Sequence, residues 1–151
     1  MAITTIPTAE AFSLLTPYLS AGRTTTFVAR GEMLSIAIKI YSEGGENALH
    51  THASEDHAFV VLEGEATFYD ETDTERVVGK YEGIMLPQGA FYWFRSSGDT
   101  NLVLLRAAGF KPGKTGDDRV KLDGSPLPSE SAENKHIVGV PVPGKSFGTR
   151  A

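Results

Sequence analysis

Apolar residues recur at every second position through the middle of the chain. Met33–Tyr41 alternates cleanly, with Leu34, Ile36, Ile38 and Ile40 on one face of an extended strand. Thr24–Ala29 is rich in Thr, Phe and Val. His57–Glu63 and Glu65–Tyr69 are separated only by Gly64, which predicts a tight turn. Arg76–Val78, Ile84–Leu86, Phe91–Phe94 and Asn101–Ala107 follow, with Gly, Asp and Pro between them. No helical period runs through Arg23–Phe110. Many short strands with regular turn signals predict an all-β sandwich or barrel over residues 23–110.

The two ends differ in texture. Residues 1–22 admit two readings. In one, Thr8 caps a short helix that places Ala11, Leu14, Leu15, Tyr18 and Leu19 on one face, with Pro17 as an interruption. In the other, the segment is an arm laid over the barrel. Residues 111–151 are rich in Pro and Gly (Pro112, Pro126, Pro128, Pro141 and Pro143 among them) and predict an extended C-terminal arm. Val120, Leu122, Ile137, Val138, Val140, Val142 and Phe147 are its apolar anchors, for its own barrel or for a neighbour's. A loose tail is the competing reading.

Composition narrows the chemistry. The 151 residues suit one domain, and 40% hydrophobic content is enough to rule out wholesale disorder. Fourteen basic residues against 19 acidic ones leave a formal charge of −5, which argues against a nucleic-acid backbone as partner. The absence of cysteine excludes disulfides and thiolate sites, so any metal must be held by nitrogen and oxygen. There is no basic start of a secretory signal and no bilayer-length apolar run, which predicts a cytoplasmic protein with no membrane partner.

Three of the four histidines, His50, His52 and His57, lie within eight positions. His50 and His52 point to the same face of a strand. The segment Ala53–Asp56 can turn the chain, so that His57 returns beside them on the next strand and three imidazoles converge on one metal ion. If the turn is looser, Glu55 or Asp56 takes the place of His57. Phe59, Val61 and Phe94 share the parity of His57 and Tyr92. Ile38 and Ile40 share that of His50. Together these five predict the walls of a mostly apolar substrate pocket. His136 stands alone in the proline-rich arm and is expected at the surface.

The stretch from Gly44 to Gly64, with His50, His52 and His57 between them, resembles the first cupin motif, G-x5-H-x-H-x3,4-E-x6-G. Every spacing fits, and His57 stands where the family usually has Glu. The stretch Gly79–Tyr92, with Pro87 and Gly89, resembles the second motif, G-x5–7-P-x-G-x2-H-x3-N. Tyr92 stands at the usual last His and Ser96 at the Asn. The resemblance covers about residues 25–110.

It implies a cupin double-stranded β-helix, or jelly-roll barrel, holding one divalent metal ion (Fe, Zn, Ni or Mn). His50, His52 and His57 would be its ligands. Tyr92 would be a fourth ligand or a catalytic hydrogen-bond donor beside it. Three neutral imidazoles would leave the ion its full charge and favour an anionic, oxygen-rich small molecule. Three functions follow as expectations: first a dioxygenase-type oxidoreductase, then a Lewis-acid sugar or hydroxy-acid isomerase or lyase, then a non-catalytic ligand-binding or storage module. A homodimer is expected as well, paired through the N-terminal arm and the second face of Met33–Tyr41 (Met33, Ala37 and Tyr41).

Overall fold

The computed structural model describes residues 5–148. The described chain is almost entirely strand, turn and loop. Two five-stranded sheets face each other. The first runs β2 (Arg23–Arg30), β3 (Leu34–Tyr41), β10 (Leu102–Phe110), β5 (Glu55–Glu63), β8 (Gly83–Leu86). The second runs β11 (Arg119–Val120), β4 (Gly45–His52), β9 (Tyr92–Ser96), β6 (Ala66–Tyr69), β7 (Glu75–Val78). All of these pairings are antiparallel. The result is the expected all-β jelly-roll barrel, whose strand order brings β4 and β5, neighbours in sequence, into opposite sheets.

The core lies between the sheets. Phe59, Val61, Phe68, Phe94, Leu102 and Leu104 are its fully buried centre, with Tyr41 and Tyr92 above them. Phe68 and Phe94 stack at 4.8 Å between ring centroids, and Phe59 packs on both. Burying each such ring stabilises the barrel by about 1.5–3 kcal/mol. Two glycines are required by close approach. A Cβ on Gly45 would lie 2.0 Å from the Phe94 carbonyl oxygen, so only glycine lets β4 pair with β9 here. Gly64 turns β5 into β6 at φ 79°, and a Cβ there would meet the Asn101 carbonyl oxygen at 2.7 Å.

A second apolar cluster lies outside the first sheet. Ile38, Ile40 and Val103 form it with Leu19, flanked by Leu14, Tyr18, Val28 and Phe147. Its cover is a two-stranded sheet of β1 (Thr16–Ala21) and β12 (Val140–Phe147), drawn from the two ends of the chain. Asn101 fastens it: its side-chain oxygen accepts the Leu19 N–H at 2.7 Å, and its side-chain amide donates to the Leu19 carbonyl at 3.1 Å. Pro141 and Pro143 are tolerated because β12 is an edge strand.

Two expectations are corrected here. The short helix over Thr8–Leu19 does not form: residues 5–15 have no regular structure and Thr16–Ala21 is a strand. The extended form wins because it finds a hydrogen-bonding partner in β12 while Leu19 covers Ile38 and Ile40. The faces of β3 are also reversed. Ser35, Lys39 and Tyr41 face the interior, and the apolar set Ile38 and Ile40 faces the arms. The terminal sheet supplies a second apolar environment, which strand alternation by itself does not reveal. Ala37 and Tyr41 are buried, so they offer no outer face for pairing with a second copy.

Candidate metal and proton-transfer site

Three side chains of one strand build one wall of the site. The inward positions of β4 include Glu46, His50 and His52, all buried. The β4–β9 register slips between Glu46 and His50, which sets His50 opposite Tyr92. The His50 and Tyr92 ring centroids lie 4.5 Å apart, and those of His50 and His52 5.4 Å. Across the barrel, β5 brings in His57, whose ring lies 3.9 Å from that of His52.

Hydrogen bonds set the tautomers. His50 Nδ1 lies 2.8 Å from the Ala48 carbonyl oxygen, which can only accept, so Nδ1 carries the proton. Nε2 is then a bare lone pair, buried and without a hydrogen-bond partner. It faces another acceptor, Glu46 Oε2, at 3.3 Å. A proton or a metal ion on that nitrogen resolves the contact. His52 is arranged alike: Nδ1 donates to Asp118 Oδ1 at 2.8 Å, which turns Nε2 inward, 3.4 Å from the Tyr92 hydroxyl. An imidazole whose outer N–H is held by a carbonyl or carboxylate is the usual orientation of a metal-ligating histidine. His57 differs, with Nε2 2.5 Å from Glu55 Oε2 and Nδ1 buried without a partner.

Burial pushes His57 down to about 4, against the opposing pull of its hydrogen bond to Glu55. Burial also lowers His52, so both rings are neutral and able to ligate at pH 7. Glu55 would be raised by burial, but hydrogen bonds from His57 and Lys114 outweigh that and bring it to about 2. Asp118 is likewise held below the usual carboxylate range: its contacts with His52 and Ser54 overcome burial.

Beside the histidines lies a buried ion pair, Lys39 with Glu46. Glu46 also accepts the Tyr92 hydroxyl at 3.1 Å and has Arg119 Nη2 at 3.9 Å. Burial would raise Glu46, yet Lys39 and Arg119 hold it well below the ordinary range. Burial lowers Lys39 to about 8, although Glu46 pulls the other way. Burial and the Glu46 charge raise Tyr92 well above the usual phenol, so it is a neutral hydrogen-bond donor. Above these groups opens a cavity of about 610 Å³, lined by Lys39, Glu46, His52, Glu55, Arg106 and Arg119 among others.

The five residues expected to wall the pocket lie elsewhere. Phe59, Val61 and Phe94 face the interior but fill the packed core beneath Tyr92. Ile38 and Ile40 lie under the terminal arms and line none of the cavity. Its walls are polar and charged instead. His136 is half-buried at the cavity wall, where its Nδ1 accepts from Arg23 Nε at 3.0 Å.

Sequence reasoning missed Glu46, Lys39, Lys114, Asp118 and Arg119. Glu46 carries a signal, since it has the parity of His50 and His52 on β4. Asp118 and Arg119 carry none, because they reach the site only when β11 pairs with β4, setting Arg119 opposite His52. The C-terminal segment therefore closes over its own barrel at residues 114–119.

The donors fit a divalent ion. His52, Glu55 and His57 each offer a ligand atom within 4.8 Å of one another, and His50 Nε2 is a further buried nitrogen without a hydrogen bond. Imidazole nitrogen with carboxylate oxygen suits zinc, nickel, iron or manganese. With Glu55 in the set, part of a bound ion's charge would be cancelled, unlike in the all-imidazole arrangement.

Known proteins agree with this architecture. The Cupin_2 family model, described as a cupin domain, matches residues 37–107. No curated protein matches the sequence. Among solved structures, KdgF from Halomonas is 14% identical, with 61% of this chain and 82% of that one covered at a TM-score of 0.55. A Streptomyces PAC13 variant with uridine is 13% identical, with 75% and 89% covered at 0.57. A putative mannose-6-phosphate isomerase from Ralstonia eutropha is 17% identical, with 61% and 89% covered at 0.56. At these identities the structural likeness speaks for the fold alone. Among the described residues no helix is long and apolar enough to cross a membrane. The double-sheet barrel, the histidine motif on β4 and β5 and the family match over residues 37–107 together identify a cupin domain in this chain.

Proposed function

We propose that this cupin is a metal-dependent lyase or isomerase acting on a small hydroxylated molecule by proton transfer. The observation that carries the reading is the buried Lys39–Glu46–Tyr92 group, whose Lys39 and Glu46 line the same cavity as His52 and Glu55, with His57 hydrogen-bonded to Glu55 behind them. His52, Glu55 and His57 would hold the ion, with His50 beside them. The ion would supply Lewis acidity toward a substrate hydroxyl or carbonyl oxygen.

The chain's own residues do the rest. Glu46 is too weak a base to take a proton; its work is to hold Lys39 and to fix the Tyr92 hydroxyl. Lys39, lowered by burial to about 8, is suited to exchange a proton with substrate. Tyr92 donates a hydrogen bond inside the barrel. Asp118 orients His52, and Lys114 with Asp118 shields that edge from water. The sugar-related names of two structural neighbours, the putative isomerase and the protein with uridine, support a hydroxylated substrate.

A dioxygenase-type oxidoreductase is the second reading, favoured by three histidines at the motif's metal positions. One comparison separates the two. The chelator-stripped protein is reconstituted anaerobically with ferrous iron, zinc or nickel and presented with sugar acids, hydroxy-acids and diketones. Turnover without oxygen is expected. Oxygen uptake with iron alone would replace the first reading by the second. Saturable binding without turnover under every metal would overturn both and leave a ligand-binding module.

A further inference from the structure

The cations that line the cavity fall into two groups. Lys39 pairs with Glu46, Lys114 with Glu55 and Arg119 with Asp117. Arg23 is spent on the carbonyls of Gly45 and Ser129 and on His136. Arg106 and Arg30 are different. Among the described residues no carboxylate, Glu130 of the same cavity included, lies within 4.0 Å of either guanidinium. Arg106 is only 7% exposed, and its Nε is buried without a hydrogen-bond partner. Both guanidiniums instead lie against one ring, Phe27, at 4.8 Å from its centroid for Arg30 and 5.1 Å for Arg106.

A phenyl face attracts cations but supplies no counter-charge. Two like charges within about 10 Å of each other, one of them nearly buried and without a counter-ion, are unfavourable until an anion joins them. Their planar forks match the paired oxygens of a carboxylate or phosphate. Hydroxyls of Thr24, Thr25 and Ser35 share the cavity lining.

The position of Arg106 relative to the chemistry is set by register. It lies opposite Phe59 on β5, and the next inward residue of β10, Ala108, lies opposite His57. On its other side, the preceding inward residue, Leu104, lies opposite Lys39. One inward step along a strand is about 7 Å. An oxyanion at Arg106 therefore sits one short carbon chain from both the metal donors and Lys39.

We infer that Arg106 and Arg30 form an oxyanion subsite, so that the substrate of this cavity is a hydroxylated carboxylate or phosphate monoester bound by its charged end on the β2–β3–β10 wall. This rests on the proposed function for the identity of the reacting end, and it adds the charged end.

The test is calorimetric titration of zinc-loaded and chelator-stripped protein with gluconate, glucose 6-phosphate and glucose. Both anions, or the one whose oxyanion fits, should bind more tightly than glucose, and the tighter of the two identifies the source of the charge. Arg106→Met should weaken that anion about tenfold or more, Arg106→Lys less, and Arg30→Met about threefold or more, with glucose unchanged. The anion preference should survive metal stripping. Equal affinity of Arg106→Met and wild type for the anions, or glucose binding as tightly as they do, would overturn the subsite. Should Arg106→Met lose its far-ultraviolet circular dichroism, the exposed Arg30→Met decides, and unchanged affinity there overturns the subsite as well. Anion binding that is lost on stripping but indifferent to both arginines would sink the subsite and spare the proposed function. No binding of any probe to either form would sink both.

Discussion

Removing Lys39 tests how the barrel tolerates a charge at its centre. Lys39→Met keeps the length and apolar stem of the side chain but leaves Glu46 without its ammonium partner. Both side chains are only 4% exposed. Breaking a buried ion pair on one side costs about 3–5 kcal/mol. Arg119 at 3.9 Å and the Tyr92 hydroxyl at 3.1 Å remain to Glu46, which places the loss at the lower end, about 3 kcal/mol. For a chain of this length 1 kcal/mol moves Tm by about 2–4 °C, so a fall of about 6–12 °C is expected. Lys39→Met/Glu46→Gln removes both charges and should recover to within about 1.5 kcal/mol of wild type, since replacing a buried pair by neutral groups is often nearly neutral. Urea unfolding at pH 7, followed by circular dichroism and by fluorescence of the single tryptophan, Trp93, measures all four proteins of the cycle. A single-variant loss below about 1 kcal/mol, or a double variant as unstable as the two losses added, would refute the reasoning.

Acid should loosen the fold. Glu55 sits at about 2 and His57 at about 4, both below their ordinary values, so the folded chain holds fewer protons than the unfolded one between pH 2 and 6.5. Stability from these groups is complete above about pH 6.5 and is lost as pH falls through that window; a flat Tm from pH 7 to 4 in metal-free protein would contradict this. Asp118→Asn removes the charge that orients His52 and should lower zinc affinity about 10–100-fold in chelator competition. Unchanged affinity would show that His52 is aligned without it. Phe94→Ala empties the centre of the core and should cost about 3–5 kcal/mol in urea unfolding. Gly45→Ala should lower Tm measurably, because its methyl would overlap the Phe94 carbonyl; an unshifted Tm would mean that β4 and β9 can separate without cost.

What was legible in the chain was local. The spacing of His50, His52 and His57 follows from strand parity and a short turn, and these rings do come close. The parity of His57, Phe59 and Val61 correctly points them inward. What failed depended on distant segments. Ile38 and Ile40 alternate as an inner face should, yet the terminal strands cover them from outside, which frees the opposite face for Ser35, Lys39 and Tyr41. Lys39 looks like a surface residue until Glu46, seven positions on, is found facing it across the barrel. Asp118 lies in a Pro- and Gly-rich arm with no periodicity, and only the pairing of β11 with β4 carries it to His52. The resulting cavity is charged, where a reading of apolar residues alone predicts a greasy one.

The central claim is that His52, Glu55 and His57 hold one divalent ion inside the barrel. Cobalt titration of chelator-stripped protein measures it directly, because the visible spectrum reports ligation. The structure predicts saturation at one ion per chain, with nitrogen and oxygen ligation, and loss of that spectrum in His52→Ala/His57→Ala protein that retains the circular dichroism of a folded barrel. Wild-type protein that takes up no cobalt, or a double variant that binds it as tightly as wild type, would contradict the account.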